Sequence, residues 1–328
     1  MAYILVGAFI GFAGWKLTTT AVETMQAPEA LSNTAPEPEV VAVAPPQPAP
    51  SGPHADAALL SMLERQAPAS GTVGLFVRNL TTGAEASINP NRTFASASLY
   101  KVPIMVETVR QIRLGRISPD QKFTVQKAHY VEGSGVLQGR IGNSIEVREL
   151  LRLLIAESDN IAAMMLIDIT GLNNVNQTMR GLGLESTRLL DWRAPGALNA
   201  FNGLGPYTTS PGDMAVLLDT IATGRLVDEK TSDDALKLLS LKQASDLIGE
   251  ALPWDVRVAH KWGEIPGARH EAGIVLTPKY KYVVVMMTEN IDPRGSPSYI
   301  RDLSKAIYDF FEQQSASTAT AAVRPAGN

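Results

Sequence analysis

The sequence predicts an α+β fold, with an antiparallel sheet built from both ends of a central block and a mainly helical part inserted between them. Segments with strand character lie near both ends of residues 54–314, whereas segments with helical periodicity dominate the middle. Strands and helices that are grouped in this way, rather than regularly alternating, are typical of α+β domains. The sheet must therefore bring together segments that are distant in the chain.

The predicted strands lie in two groups. Residues 73–80 and 84–88 flank a Thr-Thr-Gly sequence, and this turn composition predicts a β-hairpin. Further strands are predicted late in the chain, at 255–262, 272–276 and 280–288. We expect the terminal segments to share one sheet.

Helical periodicity accounts for much of the remaining block. Helices are predicted at 55–66, 99–113, 144–156, 160–169, 211–223 and 298–311. Ser144 would be the N-cap of the third helix. Gly171 and Gly224 follow the fourth and fifth helices, where glycine commonly terminates a helix.

Composition excludes several classes of protein. The chain has 328 residues, of which 45% are hydrophobic and 19% charged, and its formal net charge is −4. This apolar content supports a folded core and excludes wholesale disorder. The near-neutral balance gives no reason to expect a nucleic-acid partner. The absence of cysteine excludes disulfides, thiolate metal sites and a cysteine nucleophile.

The chain divides into segments of different composition. Residues 1–17 are apolar except for Lys16, and we expect a membrane anchor or a cleaved signal segment, either of which implies export. Residues 18–53 hold eight of the 21 prolines and predict an extended linker. Residues 54–314 form the folded domain, and the Ala/Thr/Ser-rich residues 315–328 are expected to be a disordered tail.

Ser98 and Lys101 lie one helical turn apart at the start of a predicted helix. Their side chains can meet because positions i and i+3 share a helix face. A serine hydroxyl needs an adjacent base to act as a nucleophile, and a lysine can be that base when burial lowers its pKa. The alternative is an N-cap serine followed by a surface lysine, and this short pattern alone favours the alternative.

Ser158, Asp159 and Asn160 form a second motif before a predicted helix. Taken alone, the tripeptide is typical of an N-cap cluster. In a catalytic setting, the hydroxyl can relay a proton to a leaving nitrogen, and the amide can bind a substrate carbonyl or hold a lysine.

Lys261, Trp262 and Gly263 mark the end of the predicted strand at 255–262. Alternation places Lys261 on one face and Trp262 with His260 on the other. A lysine that faces a groove would attract a substrate carboxylate, and Gly263 would let substrate approach the strand closely. The alternative is a sheet lysine beside a core tryptophan.

The order and spacing of these motifs are more specific than any one of them. Sixty residues separate Ser98 from Ser158, and 103 separate Ser158 from Lys261. This arrangement resembles the penicillin-recognising serine enzymes, specifically the class A β-lactamase-like family. Other segments that resemble the family lie at 132–137, 208–214, 260–267 and 269–275. The resemblance covers roughly residues 55–314 and implies the serine β-lactamase/transpeptidase fold.

The resemblance implies a role for each motif residue. Ser98 is the nucleophile that becomes acylated, Lys101 is its partner base, and Ser158 is the proton relay. Asn160 binds substrate. Lys261 supports Ser158 and the substrate carboxylate.

The resemblance also implies an oxyanion hole and a substrate-binding strand. The oxyanion hole consists of the backbone N–H groups of Ser98 and Glu264, which require only backbone placement. Trp262 and Gly263 are the adjacent substrate-binding positions, and Asp159 is expected to fix its loop.

Two departures from the family pattern matter for function. Trp262 stands where the family usually has Thr or Ser, so it either stacks on a ligand or packs in the core, and we favour the core. The family's Ω-loop pattern Glu-x-x-Leu-Asn keeps Leu198 and Asn199 here, but Pro195 holds the glutamate position, or Ala194 with a one-residue shift.

The missing glutamate predicts slow deacylation. In the family it activates the water that hydrolyses the acyl-enzyme, and a positioned general base typically contributes about 10²–10⁴-fold. Asp191 or Glu185 could substitute, but Asp191 more simply caps a turn. His260 is expected to pack within the sheet, and the spacing of the histidines does not suggest a metal site. We expect no cofactor.

The sequence therefore predicts an exported serine hydrolase that forms an acyl-enzyme with β-lactams or related cell-wall amides and esters. The alternatives are a D,D-peptidase or esterase, and a membrane-tethered cell-wall-binding or β-lactam-sensing domain without efficient turnover. Expected partners are a small-molecule or peptidoglycan-derived substrate and the membrane, which the N-terminal segment would contact. We expect a monomer without nucleic acid, on the outer face of the cytoplasmic membrane, or in the periplasm or outside the cell if the leader is cleaved.

Overall fold

The computed structural model describes residues 53–292 and 295–323. The predicted leader at 1–17 and nearly all of the linker at 18–53 therefore lie outside the described residues. Within the described ranges, the structure contains no helix that is both long enough and apolar enough to span a membrane.

Strands and helices of the described residues are numbered in chain order. The strands are β1 (His54–Ala55), β2 (Thr72–Asn79), β3 (Ala84–Ile88), β4 (Phe94–Ala95), β5 (Lys122–Thr124), β6 (Ser144–Glu146), β7 (Arg188–Leu189), β8 (Tyr207–Thr209), β9 (Arg257–Ile265), β10 (Ala268–Leu276) and β11 (Lys281–Glu289). The helices are α1 (Ala57–Arg65), α2 (Lys101–Arg113), α3 (Val147–Ala156), α4 (Asn160–Thr170), α5 (Leu172–Gly181), α6 (Ala200–Gly203), α7 (Pro211–Ala222), α8 (Glu229–Leu239) and α9 (Ser296–Val323).

A six-stranded sheet in the order β1-β3-β2-β11-β10-β9 organises the domain. Its neighbours are antiparallel except for the short parallel pair β1 and β3. The early and late strands meet where β2 pairs with β11, and helices α2 to α8 come from the chain between them. The predicted α+β fold with an inserted helical part is confirmed.

Side chains that alternate across the sheet contribute to two cores. Ala259, Ile274 and Val285 pack with the inserted helices on one face. Val275 and Val284 pack with α1 and α9 on the other face. Because β9 is an edge strand that contributes to both cores, its side chains connect the helical part with the terminal helices.

Two predicted helices have different bounds in the structure. The predicted helix at 144–156 begins late, because residues 144–146 form β6 and pair with β5. Its N-cap position is held by Glu146, so the N-cap assignment of Ser144 is wrong. The predicted helix at 298–311 is part of the longer α9, which continues into residues 315–323 of the predicted tail.

Helices α5 and α8 were not predicted from the sequence. Both are short and largely polar, and α5 buries only Val175, Thr178 and Met179. Both helices pack on α2. This tertiary packing stabilises them, and neither has the broad apolar stripe that would predict a helix from sequence.

Candidate active site

Ser98 lies in a short 3₁₀ helix, Ala97–Tyr100, that leads directly into α2. Ala97 has a φ of 45°, in the left-handed region that residues other than glycine rarely adopt. Such a conformation persists only where the surroundings fix the backbone, and it is common at catalytic positions. The strained turn therefore gives Ser98 a defined position at the head of α2.

Lys101 begins α2 and its side chain is fully buried. Its Nζ lies 3.2 Å from Ser98 Oγ and 3.0 Å from Ser158 Oγ. The same nitrogen lies 2.5 Å from the backbone oxygen of Ser158 and 2.7 Å from Oδ1 of Asn160. The first two predicted motifs thus converge on one nitrogen atom.

The surroundings of Lys101 favour its neutral form. Burial lowers the pKa of Lys101 well below its usual value, and the positive charge of Lys261 lowers it further, whereas Asp159 has a smaller opposing effect. A neutral amine can donate to two of the surrounding oxygens and accept the hydroxyl proton of Ser98 with its lone pair. The alternative of a surface lysine is wrong.

Asp159 fixes the loop of the second motif, as predicted. Its Oδ2 accepts hydrogen bonds from the backbone N–H groups of Val136 and Leu137, at 2.6 and 3.0 Å. Its Oδ1 caps α4 by accepting from the N–H of Ala162 at 2.9 Å. Ser158 has a φ of 49°. The fully buried carboxylate therefore holds this second strained residue in place.

The segment 132–137 packs against this loop and holds Asp159 and Asn160 by hydrogen bonds. Nδ2 of Asn160 donates to the backbone oxygen of Glu132 at 3.0 Å. A Cβ on Gly135, whose φ is +127°, would lie 2.2 Å from the Asp159 carboxylate. Only glycine allows this approach. In the sequence the segment stands out only by resemblance, and its holding role required the structure.

Lys261 lies in β9, on the face that meets the inserted helices, and is fully buried. Its Nζ donates to the backbone oxygen of Trp262 at 2.9 Å and to Oε1 of Gln243 at 3.2 Å. Burial lowers the pKa of Lys261 to about 7, with Glu271 opposing the effect. Lys261 therefore carries its charge mainly below that pH, and in that charged form it lowers the pKa of Lys101.

Lys261 differs from the prediction in two respects. Its enclosed side chain does not line the cleft, and its hydrogen bonds within the described chain go to Gln243 and its own strand rather than to Ser158. Gln243, which the sequence analysis missed, also donates to the backbone oxygen of His260 at 2.5 Å. A single glutamine in a loop belongs to no motif, so only the structure could identify it.

Gly263 lies against the backbone of the nucleophile. An added Cβ would lie 2.6 Å from the backbone nitrogen of Ser98 and 3.0 Å from Cβ of Ala97. The close approach that the structure shows at Gly263 is to the protein's own backbone, and the approach of substrate to this strand stays a prediction. The contact also brings Glu264 beside Ser98, and both line one cleft, as the implied oxyanion hole requires.

The cleft has a volume of about 390 Å³. Of the predicted site residues, Ser98, Asn160 and Glu264 line it. The Glu264 carboxylate is 2.5 Å from the guanidinium of Arg269. Most other lining side chains are apolar, namely Val131, Met164, Trp192, Leu198, Leu204, Tyr207 and Ile265. The cleft thus combines the nucleophile with a largely apolar lining.

Trp262 lies on the face of β9 opposite Lys261, directly across from Glu271 on β10. Its indole nitrogen is buried without a hydrogen-bond partner in the described chain, and it does not line the cleft. The Nζ of Lys261 lies 5.2 Å from its ring centroid. Trp262 thus lies outside the lining of the cleft, and its role as a substrate-binding residue stays a prediction.

The Ω-loop carboxylate Asp191 caps a turn, as favoured from the sequence. Its Oδ1 accepts from the backbone N–H of Arg193 at 2.9 Å and from Nε of Arg193 at 2.8 Å. These hydrogen bonds lower the pKa of Asp191. Arg193 also binds Asp168 at 2.9 Å. Asp191 is therefore engaged in holding the loop, and exposed Pro195 occupies the glutamate position without a basic group.

The buried histidines have structural surroundings. His260 faces away from Lys261, as predicted, and lies beside Glu271. The ring of His270 lies 2.8 Å from the backbone oxygen of Ala95 and accepts from the N–H of Thr288 at 3.2 Å. Burial lowers the pKa of His270. It thus ties β10 to the segment that precedes the nucleophile.

Comparison with known proteins gives one consistent family. The model of the beta-lactamase enzyme family matches residues 57–311. A β-lactamase from Rhodobacter capsulatus is 31% identical over 153 residues, which are 46% of this chain and 52% of that protein. The β-lactamase regulatory protein BlaB from Streptomyces cacaoi is 33% identical over 118 residues, 35% of this chain and 38% of that protein. The chain thus spans about half, or less, of the length of these curated relatives.

A solved structure extends the comparison to most of the described domain. A point mutant of PBP-A, in an acyl-enzyme complex with penicillin G, aligns with a TM-score of 0.72 and 27% identity. The alignment covers 82% of this chain and 100% of that chain. The shared architecture confirms the predicted fold class and the resemblance carried by the motifs.

Proposed function

Because the chain belongs to the β-lactamase enzyme family and has the fold of its class A serine hydrolases, we propose that it forms an acyl-enzyme through Ser98 with β-lactams or related cell-wall amides and esters. The observation that carries the proposal is the convergence of Ser98, Ser158 and Asn160 on the buried amine of Lys101. A nucleophile, its base and the base's orienting groups within hydrogen-bond reach are the signature of covalent catalysis.

Acylation follows from these contacts. Neutral Lys101 accepts the hydroxyl proton of Ser98 as Oγ attacks the substrate carbonyl carbon. The backbone N–H groups of Ser98 and Glu264 stabilise the negative charge that develops on the carbonyl oxygen. The C–N bond then breaks, and the leaving nitrogen takes a proton from Ser158, which Lys101 replenishes across the 3.0 Å contact. The product is an ester between Ser98 and the acyl group.

The acyl-enzyme should be long-lived. Its hydrolysis requires a water activated by a base near the Ω-loop, where this chain has Pro195 and where Asp191 is bound to Arg193. Loss of a positioned base typically slows a step by about 10²–10⁴-fold. We therefore propose that acylation is fast relative to deacylation.

The cleft favours substrates with an apolar acyl side chain. Trp192, Leu198 and Ile265 line it, and Leu198 is 73% exposed, so substrate can cover apolar surface there. The hydroxyl that helps the family hold a substrate carboxylate is replaced by Trp262 on the far face of β9. We therefore expect weaker dependence on that carboxylate.

A fluorescent penicillin tests the acylation step. The wild-type chain should be labelled covalently, Ser98→Ala should not be, and the surface variant Ser61→Ala on α1 should label like wild type. Equal labelling of wild type and Ser98→Ala would contradict the proposal. Competition between the penicillin and a D-Ala-D-Ala peptide or ester would show whether the site also accepts a peptidase substrate.

A β-lactam-sensing role is the second candidate function. It is favoured by the same feature that predicts slow deacylation, the lack of a basic side chain at Pro195, because a sensor must stay acylated. Turnover of a chromogenic cephalosporin over many cycles would exclude this role, whereas a single stoichiometric burst would support it.

We further propose that the protein is exported, because residues 1–17 are apolar and residues 18–53 are rich in proline. An anchored or cleaved leader would place the domain where cell-wall substrates are found. Fractionation of cells that express the full chain, with the mass of the mature protein, tests this proposal. A full-length cytosolic protein would contradict it.

A further inference from the structure

Three side chains of types that can ligate a metal ion lie together on the face of the sheet opposite Lys261. His260 on β9, Glu271 on β10 and Asp246 in the loop before β9 each offer a ligand atom, and these atoms all lie within 4.8 Å of one another. The side chains of His260 and Glu271 are 4% and 0% exposed, whereas that of Asp246 is 43% exposed. The cluster is thus buried on the sheet side and open at Asp246.

Hydrogen bonds do not satisfy this cluster. Nδ1 of His260 and Oε1 of Glu271 are only 2.7 Å apart, yet both atoms are buried and neither has a hydrogen-bond partner in the described chain. The pair is therefore a close ionic contact rather than an aligned hydrogen bond. On the other side of the ring, Nε2 lies 3.7 Å from Oδ1 of Asp246, which is too long for a hydrogen bond.

The carboxylates are oriented by the backbone in the manner of metal ligands. Oε2 of Glu271 accepts from the N–H of Leu247 at 3.0 Å, which leaves Oε1 directed at His260. Oδ1 of Asp246 accepts from the N–H of Gly249 at 2.7 Å. Such outer hydrogen bonds fix the orientation of ligands before an ion binds.

We propose that Asp246, His260 and Glu271 bind a divalent transition-metal ion, with Zn²⁺ the best match. One imidazole and two carboxylates are ligands that Zn²⁺ accepts, at about 2.0–2.2 Å, with the partly exposed side left for water. Tetrahedral bonds of that length place ligand atoms about 3.3 Å apart, within the observed span. A dication also neutralises the two carboxylates, of which Glu271 is fully buried.

The ion would stabilise the loop that contacts Lys261. Asp246 and Leu247 follow Gln243 in the same loop, and Gln243 binds both Lys261 and the backbone of His260. An ion between this loop, β9 and β10 therefore fixes Gln243 from the opposite face of the sheet. The metal has a structural role here and takes no part in acylation, so the inference does not depend on the proposed function.

Calorimetric titration of the purified, chelator-treated full chain with Zn²⁺ tests the site, with Co²⁺ absorption as a report on ligand geometry. We expect one ion per chain, a tetrahedral Co²⁺ spectrum and a rise in melting temperature with added Zn²⁺. Asp246→Asn should weaken binding by at least ~10-fold while retaining the contact to Gly249. His260→Gln should do the same, and the exposed control Asp255→Asn should bind like wild type.

The outcomes separate the site from the alternatives. Failure of the wild-type chain to bind a stoichiometric ion overturns the proposal, whatever the variants do. Binding that survives unchanged in both Asp246→Asn and His260→Gln also overturns it, because the ion would then lie elsewhere. Far-UV circular dichroism of each variant ensures that lost binding reflects a lost ligand. Penicillin labelling, measured in parallel, does not decide this question.

Discussion

The substitution Gly263→Ala probes how closely β9 holds the nucleophile. The added methyl group would lie 2.6 Å from the backbone nitrogen of Ser98, 3.0 Å from Cβ of Ala97 and 3.3 Å from the backbone nitrogen of Leu99. These atoms belong to a rigid backbone turn, so no flexible side chain can move aside. Relief of the contact requires β9 and the turn to separate by about 1 Å, since carbon contacts are favourable near 3.5–4.0 Å.

The expected effect is larger on acylation than on stability. A shift of about 1 Å at a reacting group can reduce the rate by about 10²-fold, because it misaligns both the nucleophile and the oxyanion hole. The cost of the extra methyl in a close-packed site is about 1–3 kcal/mol of unfolding free energy. Gly263→Ala should therefore remain folded while its acylation rate constant falls by about 10²-fold.

The assay is the rate of covalent labelling by a fluorescent penicillin, with thermal unfolding measured in parallel. Gly181→Ala is the matched control, because a Cβ on Gly181 meets no atom within 4 Å. It should acylate like wild type. An unchanged acylation rate in Gly263→Ala would show that the turn and β9 are not held in register as described, and would refute the reasoning.

Three further predictions concern the base, the loop and deacylation. Acylation needs neutral Lys101, and burial lowers the pKa of Lys101. The acylation rate should therefore fall as the pH drops, with a midpoint well below the pKa of an ordinary lysine. A rate that rises through pH ~10, as for an ordinary lysine, would argue against Lys101 as the base. Asp159→Ala leaves backbone N–H groups without an acceptor, so it should lower the unfolding free energy by about 3 kcal/mol. The melting temperature should then fall by about 6–12 °C. The control Asp234→Ala on the exposed face of α8 should change the melting temperature by no more than about 2 °C. Pro195→Glu should speed acyl-enzyme hydrolysis by up to about 10²-fold in a mass-spectrometric time course. Asp191→Asn should leave that hydrolysis within a few-fold of wild type, and a large loss would identify Asp191 as the base.

The catalytic pair was predictable because its geometry is local. Ser98 and Lys101 are three residues apart, so helix geometry alone places them together. Period-two alternation likewise placed Lys261 and Trp262 on opposite faces of β9. That the motifs meet on Nζ of Lys101 was predictable only from the resemblance. Lys101 and Ser158 are 57 residues apart, and tertiary packing rather than local geometry brings them together.

Other parts of the site depend on long-range register and could not be derived from spacing. The antiparallel pairing places Glu271 opposite Trp262, and therefore beside His260 on the same face. No periodicity in either strand specifies that register. The same holds for Gln243 and for Gly135, whose partners lie in other segments. The histidine spacing therefore gave no sign of a metal site.

Intact-mass spectrometry of the wild-type chain after addition of penicillin G tests the central claim most directly. We predict the mass of one whole penicillin added to each chain, mapped by peptide analysis to Ser98, persisting for much longer than it takes to form, and absent from Ser98→Ala. A chain that gains no mass, or an adduct on another residue, would contradict the assignment of Ser98 as the nucleophile.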